Sequence, residues 1–324
     1  MSELIDTTEL ASGIHRLLTI EDDKYHGYHI LEGPNGPIVI DPGYINAPTE
    51  VYEPFLQRLN WGLEDVRLTI ITHSDADHHG GCHEIRERSP GIVFAAHEAD
   101  ADLIESHERI FAERYRQFEK EHGIVYDQEV FDWLTGMMGP EEEVDVRLQG
   151  GEELRIDNRT VKLLHTPGHS RGHLMIYDSE HNVVIGGDGF FGRGLTDVDG
   201  NFLQPPPYFL YPEYEKTIEL VESLDPDLLS FTHYELMEGE EITEFIQESK
   251  NFIAEIKSIL TILTDDYSQI TVQEAIEEIV DRRGSYGLDL DLAFPITAHY
   301  EHRVDLGELE VGRKAGHRAY QRPD

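Results

Sequence analysis

Residues 66–81 read VRLTIITHSDADHHGG, and this stretch decides the fold. Val66 to Thr72 is a short apolar run rich in β-branched residues, the signature of a buried strand. It stops at His73, where the composition switches to imidazole and carboxylate: His73, Asp75, Asp77, His78 and His79 follow in close succession. Strand, ligand-bearing loop, then helix is the expected order. The end of a buried strand is a fixed point from which side chains can converge on a metal.

Upstream, GIHRLLTI (13–20), YHGYHILEG (25–33) and PIVIDPGY (37–44) are short apolar runs around a Pro-Asn-Gly-Pro turn at 34–37, and they read as an antiparallel sheet. Thr49 to Asn60 carries Val51, Phe55, Leu56 and Leu59 at helical spacing. Downstream, residues 98–143 turn helical and highly charged, with Phe111, Tyr115, Phe118, Tyr126, Phe131 and Trp133 interspersed, and read as an insertion. Aromatics at that spacing suit either plain core helix or a cap over a cleft. Strand signals return in EELRI, TVKLLHT, GHLMIYD and NVVIGGD (152–188) and in DLLSFTH (227–233), with helices predicted at 214–224 and 241–262. One sheet unit before the insertion is answered by a second after it. The fold class is α/β, a four-layer αββα sandwich.

Beyond residue 264 the pattern changes to helix (271–283), helix (289–304) and a hairpin, LEVGRKAGHRAYQR. This predicts a small winged-helix-like appendage. The domain reading is therefore a catalytic unit over 1–240 and a helical C-terminal region over 241–324. The hairpin holds a local basic patch, Arg313, Lys314 and Arg318, but the whole tail is net negative, with 17 acidic against nine basic residues. A structural or homodimerising role fits it better than nucleic-acid binding, which needs sustained positive charge.

The chain has 324 residues and a formal net charge of −39, from 65 Asp plus Glu against 26 Lys plus Arg. That balance resembles a salt-adapted protein: in molar salt the Debye length falls to ~3 Å and self-repulsion is largely screened. It disfavours nucleic acid as a partner. One cysteine, Cys82, excludes an internal disulfide framework or a cysteine-rich metal module. No basic start precedes an apolar run and no stretch approaches a membrane span, so the expected location is cytoplasmic and no membrane contact is expected.

Five ligand-type clusters fall at predicted strand ends: Asp41, the run from His73 to His78, His169, Asp188 and His233. Leaving Asp41 aside, seven imidazoles and carboxylates are too many for one ion and suit two divalent ions. A shared carboxylate would hold such a pair ~3.5–4 Å apart, the separation used in two-metal hydrolysis.

The order of VIDPG (39–43), THSDADHHGG (72–81), HTPGHSRGH (165–173), IGGD (185–188) and FTH (231–233) resembles the metallo-β-lactamase superfamily over roughly residues 10–240. The resemblance implies one ion on His73, Asp75 and His169, a second on Asp77, His78 and His233, and Asp188 bridging them. Asp41 would orient a ligating imidazole from outside the ligand set, His173 would support its loop, and His79 adjoins the ligands. Asp77 would also orient the attacking water. The implied ions are zinc, with manganese or iron as alternatives. Asp75 departs from the family pattern, which has histidine there, and makes that position harder and more negative.

Hydrolysis of a small ester, lactone or thioester is the leading reading. An iron-dependent redox enzyme of the same fold and an RNA nuclease using the tail are the alternatives. Histidines 15, 26, 29, 97, 107, 122, 181 and 317 have no ligand-like context and read as structural. Cys82 reads as packed. The proline-rich stretch Gln204 to Tyr211 is either a stiff surface loop or a pocket rim.

Overall fold

A computed structural model describes residues 3–157 and 159–323. Seven strands form the first sheet in chain order: β1 (Glu3–Ala11), β2 (Ile14–Glu21), β3 (Lys24–Leu31), β4 (Ile38–Ile40), β5 (Leu68–Ile71), β6 (Val93–His97) and β7 (Val146–Leu148). β1 to β4 are antiparallel, as expected; from β4 to β7 the pairing is parallel. Parallel neighbours need crossovers, and the helices of residues 48–58, 82–88 and 98–104 supply them.

β5 shows how the sandwich is built. Successive side chains point to opposite faces, so Ile71 enters the core beneath the outer helices with Val51, Tyr52 and Ile85, while Ile70 enters the core between the sheets. There it meets Val161, Leu163, Ile176 and Ile185 of the second sheet. That sheet contains β8 (Glu153–Ile156), β9 (Arg159–His165), β10 (Leu174–Asp178) and β11 (Val183–Gly187). A small separate hairpin, β12 (Leu195–Thr196) with β13 (Phe202–Gln204), precedes the last two strands, β14 (Leu228–Phe231) and β15 (Met237–Glu238). The helix Glu213–Leu224 and the helix Glu240–Asp266 pack on its outer face. Helix, sheet, sheet, helix is the order expected from the sequence.

The insertion folds as four short helices and a π-helical turn, Phe111–Tyr115, around its own apolar cluster of Ile110, Phe131, Leu134 and Met137. The C-terminal region runs through β16 (Ile270–Thr271), the helix Val272–Arg283, the helix Ala293–Asp305 and a hairpin of β17 (Glu310–Lys314) and β18 (His317–Gln321), with β18 paired between β16 and β17. Thr271 and Glu274 cap the helix reciprocally. Its core is continuous with the second sheet: Val184, Phe190 and Tyr214 share one cluster with Phe252, Ile256 and Tyr300. The basic hairpin is also tied down. Arg313 pairs with Glu121 of the insertion, Lys314 with Glu274 and Arg318 with Glu301, each at 2.6 Å. Among the described residues no helix is long and apolar enough to cross a membrane.

Candidate metal centre

The ends of β4, β5, β11 and β14 and the loop after β9 meet on one edge of the sandwich. Asp41 follows β4 with φ +56°, a left-handed conformation that Asp tolerates better than most residues. Its carboxylate is fully committed: Oδ1 accepts the Thr72 backbone N–H at 2.6 Å, and Oδ2 accepts the Thr72 hydroxyl at 2.7 Å and His78 Nδ1–H at 2.9 Å. Asp41 therefore holds the His78 ring through its Nδ1–H.

The same device recurs around the site. His73 Nδ1 lies 3.0 Å from the Thr72 hydroxyl oxygen, His169 Nδ1 donates to the Pro207 carbonyl at 2.9 Å, and His233 Nδ1 to the Tyr25 carbonyl at 3.1 Å. An acceptor at each Nδ1 fixes the orientation of the ring and turns the Nε2 of all four inward. All four are buried, and Nε2 of His73 and of His78 has no hydrogen-bond partner among the described residues. A buried, orphaned lone pair is costly unless something electrophilic meets it.

The inward groups fall into two halves that meet at His73, whose Nε2 lies 4.0 Å from Asp188 Oδ2 and groups with His78 and Asp188 as well as with Asp75 and His169. In one, His233 Nε2 lies 3.4 Å from Asp77 Oδ2 and 3.2 Å from Asp188 Oδ2, while His78 Nε2 lies 4.0 Å and 3.5 Å from the same two oxygens. Ligands ~2.0–2.1 Å from a tetrahedral ion sit about 3.3 Å apart, close to the spacing of Asp188 from His233 and His78, and the groups of three on this side whose ligand atoms lie mutually within reach of one ion are His73, His78 and Asp188, and His26, Asp77 and His233. The electrostatics agree. Burial favours the neutral imidazoles, yet Asp188 and Asp77 raise His78 well above the ordinary histidine range, and Asp188 leads in raising His233 to about 9. Against their own burial, Asp77 and Asp188 are held well below the usual carboxylate range, Asp77 chiefly by His78 and Asp188 by His233 and His78. This half attracts cations.

The other half joins His73, Asp75 and His169, with Asp75 Oδ2 at 3.6 Å from His73 Nε2 and 2.9 Å from His169 Nε2. Here a cation is already present. Arg114, from the π-helical turn of the insertion, donates Nε–H to Asp75 Oδ1 and Nη2–H to Asp75 Oδ2, both at 2.8 Å. Its Nη2 is also 3.3 Å from His169 Nε2, and its Nη1 donates to the His169 carbonyl at 2.8 Å. Although burial opposes both charges, each partner outweighs it for the other: Asp75 is held well below the carboxylate range and Arg114 is raised. The next residue, Tyr115, accepts the Ala76 backbone N–H at 2.9 Å, so the π-helical turn braces the loop at two points.

The remaining expectations divide. His173 supports the loop: its Nε2 accepts the Asp188 backbone N–H at 3.0 Å, and its Nδ1 meets the Thr166 hydroxyl at 2.8 Å. Gly187 permits this approach, since a Cβ at its φ of +51° would lie 2.9 Å from that Nε2. His79 is buried beside the ligand loop, its Nε2 has no hydrogen-bond partner among the described residues, and burial pushes its pKa down to about 4. Cys82 is buried and its thiol is pushed up by burial, which suits a packed residue.

Sequence reading passed over two residues. His26, read as structural, is buried against the site: its Nδ1 is 3.9 Å from Asp77 Oδ2 and its ring centroid 5.3 Å from that of His233. Arg114 was missed altogether. The neighbourhood of His26 carried a signal, because alternation places His26 and Tyr28 on the same face of β3, beside the strand that ends at Asp41. Nothing local marks Arg114 out, since its partner is 39 residues away.

Above these groups is a cavity walled by the insertion (Tyr115, Val130, Trp133, Leu134), by Pro207 of the proline-rich stretch and by Leu288 and Phe294 of the C-terminal region. The proline-rich stretch is thus a rim, and the insertion is a cap. Lys24 lies 5.0 Å over the Trp133 ring at the same cavity. The floor is charged and the walls are mostly apolar, the form of a small-molecule site.

The sequence profile described as the metallo-beta-lactamase superfamily matches residues 28–233, which contain Asp41, the seven ligand-type residues and Arg114 but not His26. A "Probable metallo-hydrolase" of Mycobacterium bovis is 28% identical over 208 residues, 59% of this chain and 61% of that protein. The chain therefore spans less than two-thirds of that relative's length. An acyl-coenzyme A thioesterase of Homo sapiens is 24% identical over 212 residues, 62% of this chain and 68% of that protein. The crystal structure of a beta-lactamase domain protein from Burkholderia ambifaria is similar in fold, with a TM-score of 0.75 at 18% identity, covering 98% of this chain and 94% of that one. The strand-end ligand set, the sandwich that gathers it and the profile agree: this chain belongs to the metallo-β-lactamase superfamily.

Proposed function

We propose that this protein is a divalent-metal hydrolase that cleaves thioesters, or related small esters and lactones, of acids with an apolar acyl part. The observation that carries the reading is the set of pinned imidazoles whose Nε2 atoms converge with Asp77 and Asp188 at the floor of an apolar-walled cavity. Similarity to an acyl-coenzyme A thioesterase supports the substrate class. Bound there, a divalent ion such as zinc lowers the pKa of water towards ~7 and offsets charge developing on the attacked carbonyl oxygen.

The chain's own residues do the rest. His78, Asp77, Asp188 and His233 would hold the ion, and the acceptors at each Nδ1 keep the rings from turning. Asp77, which lines the cavity, would also orient the attacking water by accepting its hydrogen bond. Trp133, Leu134 and Phe294 would exclude bulk water and hold the acyl chain. The alternatives have less support. Arg313, Lys314 and Arg318 are each spent on a carboxylate, which leaves little for an RNA backbone, and Asp75 is spent on Arg114 rather than free for a diiron site. The acidic surface suits high salt.

The test is a panel of acyl-coenzyme A thioesters, lactones and aryl esters at high KCl, run on chelated and zinc-reloaded protein. Chelated protein is expected to be inert and reloaded protein to hydrolyse thioesters. A metal-loaded enzyme inert to the whole panel overturns the reading.

A further inference from the structure

The two halves of the site differ in one respect that bears on how many ions the chain holds. We infer that Arg114 takes the place of one ion: the chain holds a single divalent metal, among Asp77, His78, Asp188 and His233, and the guanidinium clamped on Asp75 closes the position between His73, Asp75 and His169. This rests on the metal reading above.

Three observations carry it. The oxygen that would bind an ion with His73 and His169 is Asp75 Oδ2, and it already accepts Arg114 Nη2–H at 2.8 Å. His169 has its Nδ1–H committed to Pro207, and its Nε2 is already engaged, with Asp75 Oδ2 at 2.9 Å and the same Nη2 at 3.3 Å. A dication placed between these ligands would stand within a few ångströms of a fixed positive charge that it cannot displace by protonation chemistry, because guanidinium stays charged.

Arg114 is also not free to swing away. Its side chain is 3% exposed, Nη1 is bound to the His169 carbonyl, and the guanidinium carbon lies 4.9 Å from the Phe209 ring and 5.2 Å from the Phe294 ring. Phe209 belongs to the rim and Phe294 to the C-terminal region, so elements far apart in the chain hold one cation in place. Asp75 and Arg114 read together as an exchange: a neutral imidazole and an ion are replaced by a carboxylate and a built-in cation. The charge on that side of the cavity is kept, and the need for a second ion is removed.

The experiment is a zinc titration of chelated full-length protein by calorimetry, with metal content counted by elemental analysis after desalting. Wild type is expected to take up one ion per chain, with any second site weaker by about 100-fold or more. Arg114→Met frees Asp75 and is expected to raise the count to two, as is the Asp75→His, Arg114→Met pair. Wild type binding two ions with dissociation constants within about tenfold overturns the inference and leaves the hydrolase reading intact. So does a folded Arg114→Met protein that stays at one; if that variant does not fold, the wild-type count decides alone. Wild type that binds no ion overturns both readings.

Discussion

The two halves of the metal centre contain the same kinds of residue and behave oppositely. Around His78 and His233, two carboxylates with no guanidinium clamped on them face imidazoles whose outer nitrogens are pinned, and they raise both histidines' pKa values. Around His73 and His169 the carboxylate is matched by Arg114, and burial, with Arg114 adding to it, lowers His169 below its ordinary value. Ligand count is therefore a poor guide to metal count. What matters is whether the negative charge of a cluster is already answered by the protein.

Each prediction tests that contrast. The largest effect is expected from removing a ligand on the uncompensated side: His233→Ala should abolish tight zinc binding and lower hydrolysis by about 10³-fold or more, the scale of losing a metal's electrostatic stabilisation. His169→Ala should keep its ion and lose far less activity. Equal losses in both variants, measured with metal content and kcat/KM, would erase the distinction between the halves.

Next is the compensated pair. Asp75→Asn strands a buried guanidinium and should cost about 3–5 kcal/mol in urea unfolding, whereas the Asp75→Asn, Arg114→Met double variant should recover part of that loss. Additive losses would mean that the pair is not coupled. Smaller again is Asp41→Asn, which puts an amide where His78 Nδ1–H and the Thr72 N–H and hydroxyl need an acceptor. Zinc affinity should fall about 10–100-fold with the fold retained, and an unchanged affinity would deny Asp41 its orienting role.

The smallest effect concerns Asp291, on the Arg114 side of the cavity. It is buried, accepts the Tyr126 hydroxyl at 2.5 Å and Gln204 Nε2–H at 2.7 Å, and burial raises its pKa to about 7. An unfolded aspartate ionises near ~3.9, so the folded state binds the proton more tightly. The stability it contributes is complete below ~4 and is lost as pH rises through about 7. Asp291→Asn should flatten that slope and gain about 1 kcal/mol at pH 8, a modest sum because an amide satisfies only one of the two donors. Parallel stability curves from pH 4 to 8 would contradict it.

Much of this molecule was legible in its sequence. The apolar run that becomes β5 and its abrupt end at His73 marked a buried strand and the place of the candidate site, and Asp41, His169, Asp188 and His233, read as strand-end positions, meet there in the fold. What escaped was decided across long separations. Arg114 looks like any charged residue on an amphipathic helix until the fold brings it to Asp75. His26 sits among other histidines, and only the packing of β3 against the end of β14 gives it company. The basic hairpin looked available because carboxylates such as Glu121 and Glu301 meet it only in three dimensions.

The most direct test of a one-metal centre is anomalous diffraction at the zinc edge from crystals grown with excess zinc. The account predicts one peak per chain, among Asp77, His78, Asp188 and His233, with Arg114 still paired to Asp75. A second peak of comparable height between His73, Asp75 and His169, with Arg114 displaced, would contradict it.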